Sequence, residues 1–431
     1  MSSPGLKPMY ESVSAPRATS LPGARGETGL FHLQAIYPDD ETGSGYAFSG
    51  SSLRSKTVRG VIERALGVVD GTSTRVRMRR PTRAGRATPG GGLIELRFTL
   101  SSTLQRVVAG SLGAVGSKRA LFYMDYFSNG FDPSPLLARL RDAPPRPVIL
   151  QDGLSSFAML GWRGGRVGDA ARIYLSYDYE PDFVRSRPFL AMTRRRIDEA
   201  LKQTDLLVTA SEMDERRYLA HRVLGEERMV RYPNVFFPEG LLPPTRETPH
   251  DAIVVVTIQS GWSGRAGAVR DARELLDALR RVPGEARLRV VAVGPQLPGL
   301  LRKGLPPGVE LSVLERMPNR LDFLKALSAA HVGLNLGRWV GGTNVKKYDY
   351  AISGLVVLSN RTGSRGEKMP HELVFDDGGL SQRLAELAEL GLDTLHRMGL
   401  ENREWAERVS RRSSEILEGR LKALFEPRSP G

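Results

Sequence analysis

Asn344–Asn360, NVKKYDYAISGLVVLSN, combines a helix over Val345–Ser353 with a short apolar strand, Leu355–Ser359, that follows it at once. An apolar strand without polar alternation is the habit of a parallel sheet covered by helices on both faces. Working outward, the alternation holds. Upstream lie a strand at Val332–Leu336, a helix at Leu321–Ala330, a strand at Val309–Val313, and LRVVAV at Leu288–Val293 closed by Gly294-Pro295. Before these come a helix at Ala268–Arg280 and AIVVVTI at Ala252–Ile258; downstream there is a last strand near Leu373–Phe375. This predicts an α/β, doubly wound, Rossmann-like domain whose ligand crevice lies beyond the carboxyl ends of its strands.

At 431 residues the chain exceeds the size at which one hydrophobic core stops growing, so two domains are expected. Tyr232–Asp251, YPNVFFPEGLLPPTRETPHD, is dense in proline and aperiodic, and reads as the join. The first half repeats the layout with strands at Leu30–Tyr37, Ile94–Leu100, Ala120–Phe127, Val148–Gln151, Arg172–Tyr177 and Leu206–Ala210. The start of the chain, rich in Ser, Pro, Gly and Ala, reads as a disordered leader, and Asn402–Phe425 as a long terminal helix. The expected organisation is a leader at 1–28, an N-terminal domain at 29–235, a linker at 236–250, a C-terminal domain at 251–395, and a helix and tail at 396–431 that pack back.

With 40% hydrophobic and 26% charged residues the composition is that of a globular protein. The absence of cysteine removes disulfides, thiolate nucleophiles and cysteine zinc sites, and no pair among the six histidines has ligand spacing. No metal or other cofactor is expected. Neither a secretory signal nor a run of about 20 apolar residues is present, which predicts a cytoplasmic protein, with docking on the inner face of the membrane as the alternative. A net charge of +14 suits partners that carry phosphate.

The residues just after the strands are the candidates for chemistry. In the first half they are Pro38–Gly45 (PDDETGSG, with Gly43 and Gly45), Asp125, Asp152 and Tyr177–Glu180 with Asp178. A carboxylate at a strand end serves a substrate or caps the next helix, and spacing leaves both open. In the second half, QSGWSGRAGAVR sets Arg265 and Arg270 where a loop enters a helix, a plausible pyrophosphate clamp. Further on, Gly341 and Gly342 let the backbone approach a ligand, and Thr343 or Asn344 caps a helix whose free N–H groups suit phosphate. Lys346 and Asp349 then share one helical face, as a phosphate cation and a ribose acceptor or as a simple i, i+3 ion pair.

Lys346-Lys347-Tyr348-Asp349-Tyr350, followed by Ala351–Val357, resembles the K-L-Y-E-Y-x-A-x-G-x-P-V signature of GT-B glycosyltransferases of the family 4, group 1 type. Tyr232–Val235 resembles that family's I-P-N-G-V junction, Arg265 with Arg270 its donor-phosphate pair, and Val291–Pro295 its V-G-x-G-P strand end. The resemblance implies two Rossmann-like domains facing a cleft, and transfer of a sugar from a nucleotide-diphosphate sugar to an acceptor hydroxyl, without a metal. It also implies that Asp349 stands for the ribose-binding Glu. The sequence departs from the pattern at Gly341 and Gly342, where the family carries an acidic residue, and in lacking a histidine at the end of a middle first-half strand, where Asp152 stands.

Asp152 and Asp178 are the candidates for a general base, should the transfer invert. The arginines of TRVRMRRPTRAGR and of Arg194–Arg196 suit a glycan or glycolipid acceptor with phosphate, or an anionic membrane surface. Nucleic acid is not expected, since these clusters lack interleaved aromatics. Two other functions fit the same plan: a sugar-nucleotide 2-epimerase, and a non-catalytic nucleotide-binding homologue.

Overall fold

The computed structural model describes residues 29–33, 50–68, 74–78, 93–96, 134–143, 147–153, 170–177, 179, 181, 187–242, 252–259, 264–283, 287–314, 317, 319–337 and 345–425. The proposed leader, the strand expected at Ala120–Phe127, and Gly43, Gly45, Asp125, Asp178, Gly341, Gly342, Thr343 and Asn344 lie outside these residues.

Two parallel sheets organise the chain. The first runs in the order β3 (Leu93–Leu96), β2 (Thr74–Met78), β1 (Leu30–Leu33), β4 (Val148–Asp152), β5 (Ala171–Leu175), β6 (Leu206–Thr209), β7 (Met229–Arg231). The second runs β10 (Glu310–Leu314), β9 (Leu288–Val293), β8 (Ile253–Ile258), β11 (Val332–Asn335), β12 (Val356–Asn360), β13 (Glu372–Phe375). In both, the order reverses beside the first strand, the point at which a doubly wound sheet opens a crevice.

The helices of the first half are α1 (Gly50–Leu66), α2 (Ser134–Arg141), α3 (Arg187–Lys202) and α4 (Glu212–Leu219). Those of the second are α5 (Gly264–Leu279), α6 (Leu297–Arg302), α7 (Arg320–Leu327), α8 (Val345–Ile352), α9 (Leu380–Leu390) and α10 (Leu392–Phe425). Strand residues alternate between two cores. Ile253, Val255, Val290 and Leu358 pack with Leu275 of α5 and Leu384 of α9, while Val254, Val256 and Val357 pack with Leu324 of α7 and Tyr348 and Ala351 of α8. The first sheet divides likewise, Val148, Leu150 and Ile173 facing α1 and α10, Tyr174 and Leu207 facing α3 and α4.

The terminal helix is longer than its apolar spacing predicts, starting at Leu392 rather than Asn402. It packs back on both sheets: Ala406 joins the core of the second half, Leu417 and Leu421 that of the first. Gly399 lets it sit close, since a Cβ there would lie 2.0 Å from the carbonyl oxygen of Gly354, in the turn between α8 and β12. Gly399→Ala is therefore expected to cost about 1–3 kcal/mol of stability through overpacking. A thermal melt is the check, and an unchanged Tm would mean that the helix has room to move.

Candidate functional site

The carboxyl ends of β8 and β11 are tied to α8. Lys346, in the first turn of α8, donates its ammonium to the carbonyl of Ile258, the last residue of β8, at 2.6 Å. Tyr350 accepts from the Ile258 N–H and donates to the Leu334 carbonyl, both at 3.1 Å. Residues four apart share a helical face, so one strand end is held by two side chains. The fit needs Gly333 of β11, where a Cβ would lie 2.2 Å from the Tyr350 ring. Burial pushes the Lys346 ammonium down to about 8, partly offset by Asp271 of α5, and pushes the Tyr350 hydroxyl up.

Asp349 has a different partner. Its Oδ1 accepts from Arg320 Nη2 at 2.7 Å, with both side chains 11% exposed, and the same nitrogen donates to the Phe236 carbonyl at 3.2 Å. Burial raises the Asp349 carboxyl while Arg320 pulls it back. The simple ion pair that the i, i+3 spacing admitted is replaced by two separate attachments, one from each residue.

Beyond β11 and β12 the backbone is clamped by side chains. Asn360 Oδ1 accepts from the N–H of Gly337 at 3.0 Å and of Gly363 at 2.7 Å, and Asn335 donates to the Gly363 carbonyl at 2.9 Å. Lys347, fully buried, grips the same loop, donating to the carbonyls of Ser364 and Glu367 and to Glu372, each at 3.0 Å. An uncompensated charge so deep would be costly, and the Glu372 carboxylate is its counterion.

The two clamp arginines sit otherwise than the sequence predicts. α5 begins at Gly264, not Ala268, so Arg265 belongs to its first turn and Arg270 to its second rather than to an entering loop. Both are exposed, and five residues along a helix turn by roughly 140°, which sends them to different faces.

A second polar centre lies at the carboxyl ends of β1 and β4. Asp152 Oδ2 accepts from Ser55 Oγ of α1 at 2.7 Å and lies 2.9 Å from His32 Nε2 of β1. Asp152 is 1% exposed and His32 is fully buried. Tyr177, just past β5, shares Ser55 and Asp152, and burial, reinforced by Asp152, raises its hydroxyl well above the usual range. Asp152 Oδ1 and His32 Nδ1 are buried with no hydrogen-bond partner among the described residues. No histidine is expected at the end of a middle first-half strand. His32 fills that place, because β1 lies inside the sheet between β2 and β4. The signal was a polar residue within the apolar run LFHL.

The basic stretches divide as well. Thr74–Met78 is a strand inside the first sheet, and on α3 Arg194 and Arg195 are exposed while Arg196 is 8% exposed, its guanidinium pushed down to about 10 by burial. Among the described residues no helix is long and apolar enough to cross a membrane, and no group of three or more His, Cys, Asp or Glu is placed to hold a metal ion.

The chain matches no protein-family model, and no curated protein matches it in sequence. Solved structures match it in shape. OtsA, a trehalose-6-phosphate synthase, aligns with a TM-score of 0.62 at 12% identity, over 93% of this chain and 100% of that one. The E. coli trehalose-6-phosphate structure bound with UDP-2-fluoro glucose aligns at 0.61 and 12% identity, over 91% of this chain and 98% of that one. WaaG, a glycosyltransferase involved in lipopolysaccharide biosynthesis, aligns at 0.54 and 14% identity, over 92% and 100%. At these identities the likeness is one of fold, and the fold is GT-B: two parallel α/β sheets in one chain.

Proposed function

We propose that the protein is a glycosyltransferase that moves a sugar from a nucleotide-diphosphate sugar to an acceptor hydroxyl. The observation that carries this reading is the pair of attachments on α8, Lys346 to the end of β8 and Asp349 to Arg320. They hold a cation and a carboxylate beside the carboxyl ends of the second sheet, where an open α/β sheet takes its ligand. Lys346 meets the diphosphate, and Asp349 accepts from the ribose hydroxyls with the lone pairs that Arg320 leaves. Gly342, Thr343 and Asn344 lead into the N-terminus of α8, whose partial positive charge favours phosphate. Arg265 and Arg270 add cationic charge along α5.

With cations and a helix end stabilising the leaving diphosphate, transfer proceeds without a metal. The first half then holds the acceptor, while Gly43 and Gly45 are assigned to the nucleotide sugar. Asp152, with Oδ1 left for a substrate hydroxyl, and Asp178 are its candidate acid–base groups. A GT-B neighbour bound with UDP-2-fluoro glucose supports the donor class, and WaaG supports a lipid- or polysaccharide-linked glycan as acceptor. Such an acceptor fits a cytoplasmic enzyme that works at the inner face of the membrane.

Incubation with a panel of nucleotide sugars, followed by mass spectrometry, should show release of a nucleoside diphosphate. No release with any donor, together with no binding of UDP, GDP or ADP, would sink the proposal. Asp349→Asn, which keeps the shape and loses the charge, should weaken nucleotide binding about tenfold and also lower Tm, because it leaves the nearly buried Arg320 without its counterion. Unchanged affinity would remove Asp349 from the site.

A further inference from the structure

We propose that Arg320 is a positioning residue that holds Asp349 for the nucleotide and, through the same guanidinium nitrogen, ties the donor site to the segment that joins the two sheets. The inference rests on the donor-site reading above. Arg320 opens α7, and that helix end is fixed by Asn319, whose side chain accepts from the Asp322 N–H at 2.9 Å. Its Nη2 serves both Asp349 Oδ1 and the Phe236 carbonyl, while its buried Nε has no hydrogen-bond partner among the described residues. Two acceptors held by the two N–H groups of one planar guanidinium nitrogen are coupled, because a shift of the guanidinium toward either changes the bond to the other.

Phe236 belongs to the stretch Tyr232–Leu242 that leaves β7 for the second half. On one side this stretch is fastened by Arg54, which donates to the Tyr232 carbonyl and to Asn234. On the other it is fastened by α10, through Ser414 at the Tyr232 hydroxyl, Ser410 at the Phe237 N–H and Arg403 at the Leu241 carbonyl. Arg320 links that same stretch to the acid of α8. A nucleotide that takes up Asp349 is therefore felt at the junction between the sheets.

A pH signature separates this role from simple bracing. The charged and titratable groups around Asp349 are Arg320 from α7, Lys346 and Tyr350 on its own helix, Asp271 from α5 acting on both of these, and Arg403 from α10 at the Ile352 carbonyl. Arg320 lowers the Asp349 carboxyl against burial. Without that charge a larger fraction of Asp349 is protonated at any acidic pH, and a protonated carboxyl is a poorer acceptor for two hydroxyls.

The experiment measures dissociation constants for UDP, GDP and ADP by calorimetry from neutral into acidic pH. Wild type, Arg320→Gln and Arg320→Lys are compared, with spin labels at Lys56→Cys and Glu310→Cys reporting the distance between the halves in a chain free of other cysteines. Arg320→Gln should weaken binding about tenfold and move its acid limb to higher pH. Arg320→Lys should restore the limb, since it restores the charge, but not the nucleotide-dependent change in label distance expected of wild type, since its side chain is one bond shorter and does not reach both acceptors. The proposal is overturned if wild type binds a nucleotide and Arg320→Gln matches it in affinity, pH profile and distance response. Wild type binding none of the three is a distinct result, which removes the donor-site reading and this proposal with it.

Discussion

Arg54→Met is expected to lower the melting temperature by on the order of 10 °C, the counterpart of about 3–5 kcal/mol for a buried charge centre broken from one side. The guanidinium is 1% exposed and donates to four acceptors: the carbonyls of Ser176 at 3.1 Å and Val208 at 3.4 Å, Asn234 Oδ1 at 3.1 Å, and the Tyr232 carbonyl. It thus gathers the carboxyl ends of β5 and β6 and the exit from β7 onto α1. Its charge also lowers Asp214, Tyr232 and Tyr177, which burial raises. Methionine fills the space but returns neither the donors nor the charge. Calorimetry is the measurement, with Arg361→Met as the control, because the Arg361–Asp376 pair is largely exposed and should leave Tm where it was. A Tm equal to wild type for Arg54→Met would show that its acceptors are satisfied by other means.

Lys346→Met should weaken nucleoside diphosphate binding roughly 10- to 100-fold, the range of one charge-assisted hydrogen bond, and slow transfer by about 10² if the same ammonium meets the leaving diphosphate. Two opposite pH trends accompany it. The ammonium titrates near 8 in the folded protein, below its ordinary value of 10.5. Between these pH values the unfolded chain binds the extra proton, so folding stability rises with pH across that window and the cost of the buried charge is fully present below it. Nucleotide affinity runs the other way, because the phosphates want the protonated form, and it declines as pH climbs past 8. Binding near that pH should draw in a proton, visible as a dependence of the calorimetric heat on the ionisation enthalpy of the buffer. Lys346→Met should abolish both slopes; a wild type with neither would show that the ammonium is solvated.

The second sheet was readable because its strands are short, mainly apolar runs, AIVVVTI and LRVVAV differing little from the observed β8 and β9. The first sheet was harder for a physical reason. α1 escaped notice since Arg54, Ser55, Arg59 and Glu63 are all buried, which erases the polar and apolar stripes that mark a helix. β2 reads as a basic cluster, because TRVRM alternates arginine with apolar residues inside a sheet. β7 has three residues and runs straight into YPNVFFP, whose two prolines suggest a linker although Val235 and Phe236 are buried. Gly399 lies ahead of the helix expected at Asn402–Phe425, and it is a place where α10 sits close against Gly354. At the site, Lys346 and Asp349 were legible as neighbours on a helix. Ile258 and Arg320, their partners, lie far away in sequence, and nothing local announces a long-range contact.

The reach of α10 bears on how the chain folds as it is made. Val148, Leu150 and Ile173 share a core with Leu417 and Leu421, so the first sheet emerges from the ribosome well before one of its core layers is complete. Until those leucines arrive, a face of buried-type side chains stays open to water, a state that invites association with other chains. Of the two sheets, the one made first is therefore completed last.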